Sequence, residues 1–298
     1  SVQSPIPLAS AALQQFISGQ CLGIGAQDDS QVVKVYETTT GISVGKEKQA
    51  ASNANIKHNK DENDFEGKEG DEVGDLWKME DGTYEEILEV AAEPFHKLTL
   101  CNEYTRVLKV NFEPGLTTLA HRHAEDSLYF FLVENGLNVI NHVKGSSPAC
   151  DCMTFGEVRY GTHKTNKPLV HKITNKSDSS MFCIDAEVLK PPPIVSVLPL
   201  MAEHHELVKT RDKVRVYKLV LETGSSVNVA YTFYYLKIVL KGSSGIKYEM
   251  GCGNGAGGGI SWEESEETGD VQWKDPSAGI RITNLGSTRY EAYICEWR

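Results

Sequence analysis

No apolar run in this 298-residue chain approaches the ~18 residues that a membrane-spanning helix requires. Nor does the N-terminus show an Arg-rich segment followed by an apolar core of the signal-peptide kind. Basic charge is in deficit. The formal net charge is −11, and such a surface repels phosphate backbones, which argues against nucleic acid as a partner. A cysteine framework is missing too. Seven cysteines stand at 21, 101, 150, 152, 183, 252 and 295, an odd number without framework spacing, so no disulfide-stapled secreted domain is expected. The expectation is a soluble protein of a reducing, intracellular compartment (cytoplasm or organelle), with any leader absent from this chain. Cys150 and Cys152 form a C-x-C too isolated for a soft-metal site and are read as a loop entering a strand.

Large apolar residues are scarce from 45 to 75, where Gly, Asn, Lys, Glu and Asp dominate and periodicity is lost. Such a segment cannot bury enough surface to offset its ordering entropy, and it is expected to be a flexible acidic insertion. Before it, "ASAALQQFISGQ" places Ala12, Leu13, Phe16 and Ile17 on one helical face. "QVVKVYETTTG" then alternates like a strand, with Val33 and Val35 on one side. After it, "LWKMEDGTYEEILEVAAEP" carries Trp77, Ile87, Leu88 and Val90, and a short helix is expected.

From His96 onward short β runs follow one another: "KLTL", "YTRVLKVNF", "SLYFFLV", "LNVINHV", "PLVHKIT" and "SMFCIDAEVL", with Gly, Asn, Asp or Pro between them. Closely spaced short strands of this kind build a sandwich or barrel. Pro191 to Pro193 interrupts, and a second β-rich block follows from about Val208. The two blocks repeat each other. "TRVLKVNFEPG" aligns with "VRVYKLVLETG", so that Arg106 falls on Arg215, Lys109 on Lys218 and Gly115 on Gly224, an offset of 109. "HKITN" at 171–175 meets "IRITN" at 280–284 at the same offset, while Gly156 meets Gly269 at 113. A duplicated β domain is the reading.

Within the first block, His121 and His123 alternate on one strand and point to one side, with Arg122 opposite. His171 stands on a later strand. Three neutral imidazoles converging inside a barrel suit Fe, Zn, Ni, Cu or Mn, and three protein ligands leave positions open for water or substrate. Beyond the turn, Ser127, Tyr129 and Phe131 are expected to face inward with the histidines, and Leu128, Phe130 and Leu132 outward. Tyr129 is the candidate catalytic residue, as proton donor or hydrogen-bond partner of a substrate; satisfied core packing is an equal alternative. Tyr160 and His163 are placed at the barrel mouth, and His142, His204 and His205 at the surface.

These residues resemble the cupin family, and the duplication resembles a bicupin. "GLTTLAHRHAEDSLYFFLVENG" sets Gly115, His121, His123 and Gly136 on the family's first motif. "GEVRYGTHKTNKPLVHKITN" sets Gly156, His171 and Asn175 on the second, with an altered middle. The resemblance covers residues 92–190 well, 205–298 in degraded form, and 1–90 not at all. It implies an all-β fold of two tandem cupin-type β-barrels (double-stranded β-helix or jelly roll) with a few short helices and the acidic insertion. The implied division is an N-terminal extension at 1–90, a metal-binding cupin domain at 91–190, a Pro-rich linker at 191–204 and a degenerate cupin domain at 205–298. His171 is preferred to His163 as third ligand because it carries the second motif's frame and the repeat register.

The chain departs from the family pattern in two places. The first motif's glutamate falls at Ser127, a poor ligand, so that Glu125, Asp126 or Ser127 would complete the site or leave it three-histidine. Three-histidine sites in this superfamily resemble those of iron dioxygenases. A metal without a carboxylate ligand keeps its full charge and favours an anionic or chelating substrate. At the offset of 109, His121, His123 and His171 become Ala230, Thr232 and Ile280, so the second barrel is expected to lack a metal. That leaves it three roles: stabilising the first barrel, forming a homodimer face, or holding an apolar ligand. The Gly-rich Gly251–Gly259 stretch lacks phosphate-loop context and is read as a loop. The functional expectation is a metal-dependent enzyme holding one divalent transition metal, with iron favoured over Zn, Mn, Ni or Cu. It would act on a small, anionic organic molecule as a dioxygenase, or else as a lyase or isomerase. The alternative is a bicupin that binds a metal or ligand without turnover.

Overall fold

The computed structural model describes residues 76–251 and 259–298. The helix and strand expected before residue 45, the acidic insertion and most of the Gly-rich stretch lie outside the described residues. The short helix expected around 76–94 is replaced. β1 (Leu76–Lys78) and β2 (Tyr84–Glu86) form a hairpin, β3 (Leu88–Glu89) follows, and only Val90–Ala92 makes a single 3₁₀ turn. The reason is turn chemistry. Asp81–Gly82 reverses the chain, Gly82 takes φ +87°, and Asp81 Oδ1 accepts the Thr83 amide at 2.9 Å.

The first barrel is built from β4 (His96–Cys101), β5 (Thr105–Phe112), β6 (His121–His123), β7 (Asp126–Phe131), β8 (Leu137–Val143), β9 (Ala149–Met153), β10 (Val158–Gly161), β11 (Leu169–Asn175) and β12 (Met181–Val188). The second uses β13 (His205–Arg211), β14 (Val214–Leu221), β15 (Ser226–Val229), β16 (Tyr235–Lys241), β17 (Ser243–Met250), β18 (Ile260–Glu266), β19 (Val271–Lys274), β20 (Ile280–Asn284) and β21 (Tyr290–Trp297). The sheet orders are β10-β7-β12-β5-β4 and β3-β6-β11-β8-β9 in the first barrel, and β13-β14-β21-β16-β19 and β15-β20-β17-β18 in the second. In each, the last strand of the block pairs between two early ones, which is the wrapped connectivity of a jelly roll. The chain therefore has an all-β fold of two tandem jelly-roll barrels. No strand falls between β12 and β13, and β3 joins the first barrel through β6. Cys150 and Cys152 lie on β9 itself rather than in a loop before a strand. No helix among the described residues is long and apolar enough to cross a membrane.

The duplication reaches individual hydrogen bonds. Asn175 Nδ2 donates to the carbonyls of Phe112 and Ser179, and Asn284 Nδ2 to those of Leu221 and Thr288. Gly115 and Gly224 hold φ of +78° and +76° in matching turns, each donating its amide to the asparagine carbonyl of its own barrel. Arg106 pairs with Glu187, and Arg215 with Glu296.

Alternation sorts side chains between the barrels and the seam joining them. On β7, Leu128 and Phe130 enter a shared core with Leu132, Ile184, Leu236, Ile238, Leu240 and Trp297, whereas Tyr129 and Phe131 face the first barrel's interior. On β16, Leu236, Ile238 and Leu240 face the seam; Tyr235, Lys237 and Val239 fill the second barrel.

Candidate metal centre

β6 is three residues long and reads "HRH", with His121 and His123 buried and Arg122 half-buried beside Glu89. β11 runs antiparallel to it with His171 opposite His121. A further histidine, His96, opens β4. His96, His121 and His123 each offer a nitrogen within 4.8 Å of the other two. The His171 ring lies 4.6 Å from that of His121, centroid to centroid, and its Nε2 is 3.1 Å from Nε2 of His123. Four imidazoles thus face one interior point.

What fixes them is a ring of acceptors behind their Nδ1 atoms. His121 Nδ1 donates to the Leu119 carbonyl at 2.8 Å, His96 Nδ1 to Glu93 Oε2 at 2.6 Å and His171 Nδ1 to Asn141 Oδ1 at 3.0 Å. His123 Nδ1 faces the Tyr129 hydroxyl at 3.3 Å and Asp185 Oδ2 at 3.4 Å. On His96, His121 and His171 the proton held on Nδ1 leaves the lone pair on Nε2, aimed inward. His121 Nε2 is buried without any hydrogen-bond partner. The Nε2 atoms of His123 and His171 stand 3.1 Å apart, a separation suited to two nitrogens sharing one ion at about 2.1 Å. The residues present fit a divalent transition metal.

Electrostatics keep these groups in the ligand form. Burial, then the nearby charges of His96 and His123, brings His121 down to about 3. Burial first, with the other histidines adding to it, also holds His123 and His171 well below the usual imidazole range. All three are neutral at pH 7. Burial works against ionisation of Glu93, but the His96 hydrogen bond and two backbone amides outweigh it and keep the carboxyl below its ordinary value. Asp185 is pushed up to about 6 by burial, which the facing His96 and Ser127 only partly offset.

Tyr129 lies inside the barrel as expected. Its hydroxyl sits 2.9 Å from His163 Nε2 as well as facing His123, and burial with the neighbouring Asp185 raises its pKa far above the ordinary phenol, so it remains a donor. His163 and Tyr160 both line the cavity. Glu125 and Asp126 are occupied elsewhere. Glu125 pairs with Lys164 at 2.8 Å, while Asp126 accepts the Lys164 and Thr165 amides, the Thr165 hydroxyl and Lys213 Nζ. Ser127 is buried, and its hydroxyl donates to the Glu125 carbonyl at 3.3 Å. His142 and His205 are half-buried rather than superficial, bonded to the Thr174 and Tyr231 hydroxyls at 3.0 and 2.7 Å.

Two sequence-based placements need correction. The residue opposite Ile280 in the second barrel is Val229, not Ala230, and the next inward position is Tyr231 rather than Thr232. The turn before β15 is one residue out of step with the turn before β6, and a one-residue slip exchanges the faces of a strand. Val229, Tyr231 and Ile280 still offer no metal ligand. His96 was also overlooked, although it stands 109 residues before His205. Both begin edge strands that carry matching bulges, at Leu98/Leu100 and Leu207/Lys209.

No family model and no curated protein matches the chain. Among solved structures, AerE from Microcystis aeruginosa is 11% identical with a TM-score of 0.46, over 69% of this chain and 98% of that one. Oxalate decarboxylase from Bacillus subtilis is 11% identical with a TM-score of 0.44, over 65% and 68%. A cupin 2 conserved barrel domain protein from Leptotrichia buccalis is 9% identical with a TM-score of 0.41, over 68% and 88%. Likenesses this distant assign no activity to the chain.

Proposed function

We propose that the chain is a metal-dependent enzyme acting on a small organic molecule, with the reactive centre in the first barrel (residues 91–190) and a metal-free second barrel (205–298). His121, His123 and His171 hold one divalent transition metal, and His96 stands beside them as a fourth nitrogen. The observation that carries this is the convergence of neutral, buried imidazoles, with His121 Nε2 left without a hydrogen-bond partner and the Nε2 atoms of His123 and His171 3.1 Å apart. Buried acceptors of this kind are costly unless satisfied.

Imidazole nitrogens suit iron as well as zinc, copper and nickel; iron, the metal that the resemblance favours, would supply Lewis acidity and access to dioxygen, so a non-haem dioxygenase is the preferred reaction class. The protein's own groups serve that role. Tyr129 presents a protonated hydroxyl beside His123 and His163, positioned to hydrogen-bond a substrate oxygen. Phe131, Val139 and Met153 add an apolar lining to the cavity. The same Tyr129–His163 pair, with Asp185 behind it, also suits the proton transfers of a lyase or isomerase.

Metal content of purified variants tests the assignment. His171→Ala is expected to lose most of its bound metal and His163→Ala to retain it. The reverse would mean that the third ligand is His163. Tyr129→Phe is expected to keep the metal while losing turnover, and unchanged turnover would remove Tyr129 from the mechanism.

A further inference from the structure

The cavity in front of the histidines has a volume of ≈260 Å³. An apolar cavity of about 150 Å³ holds benzene, so the space here fits one ring and a short chain. Much of its lining is apolar: Val110, Phe131, Val139, Met153, Ile173 and Met181. Among the described residues Arg159 is the one Lys or Arg side chain lining it, and that guanidinium is already neutralised. It donates to Asp151 at 2.5 Å, to Glu157 at 2.6 Å and to the Cys152 carbonyl at 2.8 Å, joining β10 to β9. Two carboxylates on one guanidinium leave no side-chain cation for the body of a ligand, so the one positive centre is a metal at the histidines. An anionic group pushed against the apolar wall would lose its hydration without a counter-charge.

We propose that the ligand of this cavity is a largely apolar small molecule, one ring with a short uncharged chain, and not a dicarboxylate. Its polar head lies at the histidines and Tyr129 while its body packs against the apolar lining. The position of the head rests on the metal-site reading above; the apolar body rests on the cavity alone.

Isothermal titration of the full chain with phenol and its 4-methyl, 4-ethyl and 4-propyl derivatives tests this, with oxalate and succinate as anionic probes. The titrations are run on protein as isolated and again after chelator treatment. Each added CH₂ is expected to tighten binding about fourfold until the cavity is full. Oxalate and succinate are expected to bind the chelator-treated protein at least tenfold more weakly than 4-propylphenol. Val139→Phe and Ile173→Phe, each checked for an unchanged far-UV spectrum and a cooperative melt, are expected to weaken alkylphenol binding at least tenfold. A flat response to chain length, tighter binding of the diacids to chelated protein, or filled-cavity variants that bind like the wild type would overturn the proposal. Alkylphenol binding by protein that takes up no transition metal, either as isolated or after reconstitution, would instead defeat the metal reading and leave this inference standing.

Discussion

At the scale of the residue, the histidines are prepared by what stands behind them. Glu93 takes the His96 imidazole and the Phe95 amide on one oxygen and the Leu119 amide on the other; the Leu119 carbonyl in turn holds His121. One buried carboxylate thereby orients two of the four rings. Glu93→Ala should lower metal affinity roughly 10–100-fold and also destabilise the fold, because several buried donors lose their acceptor. Glu93→Gln should cost less on both counts. Parallel metal titrations and thermal melts read the two effects, and a Glu93→Ala variant with unaltered affinity would remove this carboxylate from the site. That His121 and His123 share a face was legible from alternation, and His171 was set with them by the family motif's frame and the repeat register. The acceptors behind them were not, because Glu93, Asn141 and Leu119 come from separate segments that only the folded sheets bring together.

Elements show how side chains fill the second barrel where the first holds a cavity. Where β7 offers Tyr129 to a cavity, β16 offers Lys237, whose ammonium meets Glu266 at 2.5 Å and the Tyr248 hydroxyl at 2.8 Å, while Tyr290 donates to the same carboxylate. Lys237→Met leaves that buried carboxylate without its cation and should cost about 3–5 kcal/mol, and adding Glu266→Gln should restore much of it. Denaturant unfolding of the single and double variants measures the coupling; equal losses in both would contradict it.

Asp126, at the start of β7, gives a pH signature. Burial would raise it, but Lys213, the Thr165 hydroxyl and two amides bring it down to about 2 from an ordinary 3.8. A carboxyl depressed on folding contributes stability above its unfolded value and loses it as pH falls through the folded one. Asp126→Asn should therefore cost on the order of 1–2 kcal/mol above pH 4, allowing for the partly exposed lysine, and the difference should vanish towards pH 2. A difference constant with pH would mean that the ion pair contributes nothing. Most long strands could be read from the sequence, whereas β9 and β10 could not, since "ACDCM" and "VRYG" are too short and too exposed to show a period.

For the whole molecule, the seam is as much a core as either barrel. Trp297 is fully buried there, and its indole N–H reaches the Tyr104 carbonyl of the first barrel at 3.1 Å. Trp297→Ala should cost about 3–5 kcal/mol and lower the stability of both barrels together, seen as one cooperative transition shifted rather than two separated ones. The duplication was visible at an offset of 109, but its consequence for the site shifted by one residue at β15, since loop length is not fixed by strand pattern. The central claim, a single metal centre in the first barrel alone, is tested most directly by elemental analysis of the full chain after reconstitution with ferrous iron and removal of excess at neutral pH. One equivalent per chain, abolished by His121→Ala, is the predicted result. No bound metal, or a full equivalent surviving in His121→Ala, would contradict it.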